Sequence, residues 1–215
     1  MRKQSDVKVM LKEAGILFAI TLLSGLLLGF VYELTKEPRR VQQEKAIQEA
    51  CVAVFPHAKE QGTELSFEQL EIVPTESVVS ELSESHVEPG AIYKACTKTD
   101  DAFYGLVVEA VSSEGYGGDI VLYVGVGVDG TVNGVSILEI KETAGLGMEA
   151  PNVLVPQFAD KKVESFVYTK TGAKPDSNEV DAISSATITT KAVTEAVNGG
   201  LKIALELLEG GVLNE

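Results

Sequence analysis

The chain has 215 residues and a formal net charge of −14, which suits one medium-sized domain with accessory segments. Residues 1–32 hold four cations and two anions, whereas the rest holds 14 cations and 30 anions. A region this acidic repels phosphate backbones, so the composition excludes nucleic acid as a partner. Two histidines and two cysteines without metal-ligand spacing predict no metal site. Cys51 and Cys96 could form one bridge, but we favour two small buried thiols.

A stretch of 19 uncharged residues lies near the N-terminus, at 14–32. As a helix it would be about 28 Å long, close to the hydrocarbon thickness of a bilayer. A cleaved signal peptide has a shorter apolar core and small residues after it, whereas this stretch runs into Tyr32 and Glu33. We therefore predict an uncleaved transmembrane helix over 14–32, preceded by an N-terminal segment 1–13. Four cations precede it and four follow it closely, so charge alone does not assign the orientation.

A helical and acidic linker region is predicted over 33–90. Apolar residues at helical spacing predict an amphipathic helix over 39–55, and Pro56 is expected to end it. The acidic residues 57–90 are rich in Ser and Glu and predict loops with one short strand.

The main domain is predicted over 91–209. Its first half contains four segments of β-branched and apolar residues that are separated by turn signals, which predicts an antiparallel meander. The four segments are 91–98, 103–111, 119–128 and 131–140. The next predicted elements are a glycine-containing loop at 142–152, a short helix near 153–160 and a strand at 163–169.

One long helix is predicted over 187–208, before a tail at 210–215. Its apolar stripe keeps helical register through Asn198-Gly199-Gly200, so the glycines are interpreted as sites of close backbone approach. The sequence therefore predicts an α+β fold, in which an N-terminal transmembrane helix precedes a mainly antiparallel sheet with packed helices.

The segment Gly125–Gly130 matches the GxGxxG pattern of dinucleotide-binding folds, where the glycine turn opens a helix. Here the residues that follow are TVNGVSILEI, which are rich in β-branched types and lack helical spacing. We therefore interpret Asp129-Gly130 as a hairpin turn and predict no dinucleotide site.

The segment DAISSATITTKAV, residues 181–193, contains the chemically informative residues. It is typical of a strand end, a turn of small residues and a helix start, where free N–H groups and the helix dipole favour a phosphate. Ordinary N-capping is the competing interpretation, because Ser and Thr are preferred caps, and chemistry alone favours it. The hydroxyl groups concerned are those of Ser184, Ser185, Thr187 and Thr189.

This segment resembles the signature Asp-x-x-Ser/Thr-Gly/Ala/Ser-Ala-Thr/Ser, at which a flavin transferase attaches flavin mononucleotide (FMN) through its phosphate. It is similar to the form found in the G subunit of the Rnf complex and the C subunit of the sodium-pumping NADH:quinone reductase. Asp181, Ser184, Ala186 and Thr187 match this signature by position. The resemblance makes Thr187 the acceptor of the phosphate. Ser185 stands where glycine is commonest, and a positive φ there would strain a serine.

A second resemblance lies upstream, where residues 142–147 read ETAGLG and are similar to the ETPGLG loop of the same FMN-binding domain. In that family the loop lies against the flavin. Ala144 replaces the proline, which is expected to loosen the loop. The segment 115–118 and the strands after it also resemble the family. The residues that this second resemblance assigns to the site are Glu142, Thr143, Gly145, Leu146 and Gly147, with Thr143 and Leu146 as contacts of the isoalloxazine ring.

The resemblance implies an electron carrier with covalently attached FMN, held in an extracytoplasmic domain behind a membrane anchor with its N-terminus in the cytoplasm. It implies the other membrane subunits of an Rnf-type complex as partners, and a flavin transferase for maturation. Chain length favours the Rnf G subunit over the C subunit of the quinone reductase. Two further alternatives are a membrane-anchored scaffold domain without flavin, and a hydrolase using Ser184 or Ser185. The hydrolase lacks a GxSxG elbow and a nearby histidine.

Overall fold

A computed structural model describes residues 2–175 and 177–210. The predicted tail at 210–215 lies outside the described residues except for Gly210, and so does Met1 of the predicted N-terminal segment. The chain divides into two compact units, Met1–Lys45 and Ala46–Glu215.

The first helix, α1, extends from Arg2 to Ala53. It joins the predicted transmembrane and amphipathic helices in one element, with Pro38 inside it. A window within Met10–Ala53 has a mean hydropathy of 2.4, so the helix is long and apolar enough to cross a membrane, a test that a signal sequence also passes. This helix ends at Ala53, before Pro56 and two residues earlier than predicted. Pro56 begins α2, where its missing N–H group would have had no helical partner.

The acidic region 57–90 is more regular than predicted. It contains the one short strand expected, β1, but also two helices, and β2 begins at Val87 instead of Ala91. Val78 and Leu82 lie buried on α3 and attach it to the core, which the Ser- and Glu-rich composition concealed. The elements are α2 (Pro56–Glu60), β1 (Leu65–Leu70) and α3 (Glu76–Glu84).

A five-stranded sheet forms the centre of the second unit, with strand order β1-β2-β3-β4-β5 and every neighbouring pair antiparallel. The predicted meander is therefore confirmed, and β1 adds a strand at its edge. Its remaining strands are β2 (Val87–Thr97), β3 (Phe103–Ser112), β4 (Ile120–Gly127) and β5 (Val132–Glu139).

The GxGxxG segment lies in the β4–β5 hairpin, as predicted. Gly130 has φ +82° and its N–H group donates to Gly127 O at 2.9 Å, which closes the turn. A Cβ atom on Gly125 would lie 2.6 Å from Val54 Cγ2, so this glycine lets the residues after α1 pack against the sheet. Turn geometry and close packing account for these glycines without a nucleotide.

Residues 147–169 differ from the prediction. The short helix is α4 (Ala150–Val153), flanked by 3-10 turns, and not a helix over 153–160. The strand predicted over 163–169 is reduced to β6 (Val167–Thr169), which pairs in parallel with β7 (Glu179–Asp181). The backbone of Phe166 makes no strand pairing because the Asn198 side chain accepts its N–H at 2.7 Å and donates to its C=O at 3.0 Å.

The last helix, α5, runs unbroken from Thr187 to Glu209 and packs on one face of the sheet. A Cβ atom on Gly200 would lie 2.7 Å from Val124 Cγ2, which confirms the predicted close approach. The opposite face is covered by a second cluster that includes Cys51 and Phe55. Cys51 and Cys96 are both buried free thiols, as favoured, and burial raises the pKa of Cys51 to about 12.

Candidate functional site

The two segments with family resemblance meet at one pocket of about 550 Å³, a usual size for a small-molecule site. Seven of the predicted site residues line it, together with Tyr116, Ile188 and Thr189. The seven are Glu142, Thr143, Leu146, Gly147, Ser185, Ala186 and Thr187. Asp181, Ser184 and Gly145 do not line it.

The first wall of the pocket is a four-residue turn, Ile183–Ala186, which we call the acceptor turn. Ala186 N–H donates to Ile183 O at 3.1 Å, and Ser185 has φ +62°. A positive φ at the third position alone is typical of a type II turn, which favours glycine there. Ser185 therefore adopts a left-handed conformation, with the positive φ that we expected to strain a serine at this position.

The start of α5 is not capped by a side chain. Its N-cap residue is Ala186, and no side-chain hydrogen bond caps the helix. The Thr190 hydroxyl instead accepts from Ile183 N–H at 3.1 Å and donates to Ala186 O at 2.9 Å, which fixes the acceptor turn to the helix. N-capping therefore does not account for the hydroxyls of Ser184, Ser185, Thr187 and Thr189, all of which the structure describes.

The opposite wall is the turn Thr143–Leu146, which we call the loop turn. Leu146 N–H donates to Thr143 O at 3.1 Å, and Gly145 has φ +75°. This is again the pattern of a type II turn, in which proline is common at the second position. Ala144 occupies that position here, where the family loop has proline.

Gly147 joins the loop to the helix. A Cβ atom on Gly147 would lie 2.5 Å from Thr189 Oγ1 and 2.8 Å from Glu142 Cβ. Only glycine therefore lets the loop pack directly on the first turn of α5. This contact brings the two motifs together, although they are far apart in the sequence.

Glu142 builds a third wall. Its Oε1 atom accepts from Tyr116 N–H at 2.7 Å and from Gly117 N–H at 3.4 Å. These bonds hold residues 114–118, which we call the rim turn, beside the loop. Glu142 therefore positions the rim turn, a role that the resemblance did not specify.

Tyr116 is a site residue that the sequence motifs did not indicate. Its side chain is 71% exposed at the mouth of the pocket, near the exposed side chains of Leu146 and Ile188. The available signal was an aromatic residue between glycines in Gly115-Tyr116-Gly117-Gly118, because such a turn presents its one large side chain outward. Together these three side chains offer an apolar surface for a flat ring.

Asp181 and Ser184 lie outside the lining of the pocket, in and directly before the acceptor turn. The Asp181 carboxylate accepts from Ala173 N–H at 2.6 Å, and its backbone N–H donates to Gln157 Oε1 at 2.6 Å. These bonds fix the end of β7 directly before the acceptor turn. Ser184 is exposed at the second position of that turn. Both residues belong to the framework of the turn.

The electrostatics of the pocket come mainly from the helix. Among the described residues that line it, Glu142 alone is charged, and its Oε1 is occupied by the rim turn. The free N–H groups and dipole of α5 therefore supply the positive potential near Thr187. A ligand that suits this arrangement has an anionic group at one end and a flat apolar ring at the other.

These features define an FMN-binding domain, and residues 115–202 match the family of that description. Over 205 residues the chain is 32% identical to the G subunit of the Na(+)-translocating ferredoxin:NAD(+) oxidoreductase complex of Acetobacterium woodii, covering 93% of this chain and 94% of that protein. It is 30% identical over 191 residues to the G subunit of the ion-translocating oxidoreductase complex of Aliivibrio fischeri, covering 87% of each. The chain belongs to the G-subunit family of these ion-translocating (Rnf) oxidoreductase complexes, as the sequence motifs predicted.

The fold has a counterpart among solved structures. The crystal structure of the C subunit of the Na(+)-translocating NADH-quinone reductase from Parabacteroides distasonis matches with a TM-score of 0.53 and 19% identity, covering 79% of this chain and 94% of that chain. At this identity the match shows a shared fold only. The predicted α+β class, with an antiparallel sheet and packed helices behind an N-terminal apolar helix, is confirmed.

Proposed function

We propose that this chain is the electron-carrying G-type subunit of a membrane-bound Rnf-type ion-translocating complex, with FMN attached through its phosphate to Thr187. The observation that carries the proposal is the position of Thr187, the first residue of an uncapped helix that opens into the pocket built by both motifs. The cofactor supplies reversible acceptance and release of electrons, and the protein supplies binding and orientation.

The phosphate end of the proposed site is the start of α5. Within the described part of the chain, the hydroxyl of Thr187 makes no hydrogen bond, so esterification at this oxygen removes no existing interaction. The first N–H groups of the helix have no side-chain partner and are free to donate to phosphate oxygens. Ser184, Ser185 and Ala186 shape the turn that presents this acceptor.

The ring end of the proposed site is the apolar mouth of the pocket. Thr143 and Leu146 contribute from the loop turn, Ile188 from α5 and Tyr116 from the rim turn. Side chains at this mouth orient the ring and limit its contact with water. The chain therefore needs no general acid, base or nucleophile for its proposed role.

The proposed topology follows the family. Residues 1–13 lie in the cytoplasm, 14–32 span the membrane, and 33–90 lead to the FMN-binding domain at 91–209 on the outer side. Covalent attachment prevents loss of the cofactor where no cytoplasmic flavin pool replaces it. The anchor raises the effective concentration of the carrier near the other membrane subunits of the complex, its proposed partners. Maturation requires a flavin transferase.

The test is the intact mass of the full-length chain co-expressed with a flavin transferase. We expect the polypeptide mass plus one FMN less water, and a fluorescent band on a denaturing gel. Thr187→Val removes the acceptor hydroxyl and should abolish both signals. The matched control is Thr189→Val, which makes the same change at another threonine of the pocket and should keep them.

Three outcomes would contradict this proposal in different ways. An unmodified wild-type chain from cells that contain the transferase would favour a membrane-anchored scaffold domain. A fluorescent band that persists in Thr187→Val would move the acceptor to another residue. Ester hydrolysis that Ser184→Ala abolishes would favour a hydrolase.

A further inference from the structure

An ion-paired group beside the pocket connects the rim turn to α5. Lys191 Nζ donates to Glu114 Oε2 at 2.6 Å and lies 3.7 Å from Glu195 Oε1. Lys191 is four residues after Thr187 and therefore on the same side of the helix. The hydrogen bond from Lys191 holds the pKa of the Glu114 carboxyl below its usual range, and the same bond raises the pKa of Lys191. Both groups are therefore charged at neutral pH.

The rim turn is held from two sides. On one side, Glu142 accepts from the N–H groups of Tyr116 and Gly117. On the other side, Glu114, the first residue of the turn, binds Lys191 of α5. His86 lies beside this second attachment, with its Nε2 atom 3.6 Å from Glu114 Oε1.

The position of Tyr116 depends on these attachments more than on its own packing. Its side chain is 71% exposed, and glycines surround it at 115, 117 and 118. Gly118 has φ +137°, a conformation that residues with side chains rarely adopt. A backbone of this kind has little intrinsic stiffness, so contacts from outside the turn, including the packing of Gly117 against the Lys141 carbonyl, decide where the tyrosine ring lies.

We infer that Glu114 and Lys191 are a positioning pair for the pocket, which holds the rim turn against the start of α5 and sets how far Tyr116 shields the bound ring. The inference rests on the proposed function, because the ring is that of FMN. Neither charged group lines the pocket, so the pair acts through the rim turn. Lys191 also neutralises the charge of Glu195, whose Oε2 atom is buried without a hydrogen-bond partner.

The experiment measures iodide quenching of flavin fluorescence in the FMN-loaded full-length chain in detergent. The variants are Glu114→Gln, Lys191→Met and the double variant, and intact mass confirms that each retains FMN. A partly exposed ion pair contributes modestly to holding the rim turn against α5. Loss of the pair should expose the flavin more to iodide, so each single variant should raise the quenching constant by about two- to fivefold. The double variant should match Lys191→Met, because that change alone already removes the Glu114–Lys191 pair and the contact with Glu195. Lys191→Arg keeps the charge and should restore the wild-type value.

The control is an ion pair elsewhere on the domain. Lys98 Nζ lies 3.2 Å from Glu64 Oε2 at the far edge of the sheet, and Glu64→Gln with Lys98→Met should leave quenching unchanged. Wild-type quenching in both single variants at the site, or effects that multiply in the double variant, would overturn the inference while leaving the proposed function intact. A wild-type chain without FMN mass would instead remove the proposed function and this inference with it.

Discussion

The two turns that face each other across the pocket have the same backbone pattern, with a positive φ at the third position. They differ in the residue that occupies this position. In the loop turn, Gly145 has φ +75° and meets no steric penalty. In the acceptor turn, Ser185 has φ +62° and a side chain that disfavours it. One turn therefore follows from its own residues, whereas the other is held against the preference of its third residue.

The surroundings of the acceptor turn supply the missing stability. Ala182 N–H donates to Thr169 O at 2.8 Å before the turn, and Thr190 binds both Ile183 and Ala186. Strained backbone of this kind persists where neighbouring structure determines it, commonly at functional sites. The comparison teaches that the loop turn is specified locally and the acceptor turn by tertiary contacts.

The largest effect is expected from separating the two turns. Gly147→Ala places a Cβ atom 2.5 Å from Thr189 Oγ1 and should lower the free energy of unfolding by about 2 kcal/mol. We expect a lower thermal midpoint and loss of most attached FMN by intact mass. Gly29→Ala is the control, because a Cβ atom there meets nothing within 4 Å. Full FMN occupancy in Gly147→Ala would show that the motifs do not depend on this contact.

A smaller effect should follow from placing a residue with a side chain at the positive-φ position of the loop turn, as in the acceptor turn. Gly145→Ala has open space for its Cβ atom, so its effect is conformational and should lower the free energy of unfolding by about 1–2 kcal/mol. Gly145→Asn should lower it less, because asparagine tolerates the left-handed region. Thermal unfolding of both variants measures the difference, and equal midpoints for Ala and Asn would contradict a backbone cause.

The reverse change should stabilise the acceptor turn. Ser185→Gly removes the steric penalty at φ +62° and should raise the free energy of unfolding by about 0.5–1 kcal/mol, since the greater flexibility of glycine offsets part of the gain. The fraction of chains with FMN should rise or stay equal. Ser185→Ala keeps the strain and serves as the control. A gain in Ser185→Ala as large as in Ser185→Gly would point to the hydroxyl and not to the backbone.

The smallest effect is expected at the second position of the loop turn. Ala144→Pro places proline where a type II turn accepts it and should stabilise the chain by about 0.5 kcal/mol through the unfolded state. Thermal unfolding with FMN attached measures this change, and Thr143→Pro, one position earlier, is the comparison that should not stabilise. Destabilisation by Ala144→Pro would show that the loop turn departs from the family geometry.

Much of the fold was predictable because it depends on local periodicity. Alternation of β-branched residues specified the meander, and the apolar stripe of α5 specified one unbroken helix. The helix predicted over 153–160 was wrong, and the strand predicted over 163–169 is confirmed only at Val167–Thr169, because long-range contacts decide both. The Asn198 side chain satisfies the backbone of Phe166, so no strand forms there, and no pattern near Phe166 in the sequence indicates this.

The candidate site shows the same division. Motif resemblance identified the acceptor turn and the loop, but not Tyr116. Tyr116 reaches the pocket because Glu142 binds the rim turn, although β4 and β5 separate the two in the sequence. Hydrogen bonds between segments so distant in sequence leave no local signature. The family's frequent glycine at the position of Ser185 indicated a turn, and only the structure supplied its φ angle.

By itself, the sequence of this protein determined the four strands of the meander and the last long helix, where an apolar helix of bilayer length lies, and which hydroxyls lie at the start of the last helix. These properties depend on residue spacing over one or two turns of chain. The tertiary structure decided that the helix start is uncapped, that Gly147 brings two motifs into one pocket, and that Ser185 adopts a left-handed conformation. Each of these depends on atoms contributed by distant segments, whose approach is set by packing of the whole domain.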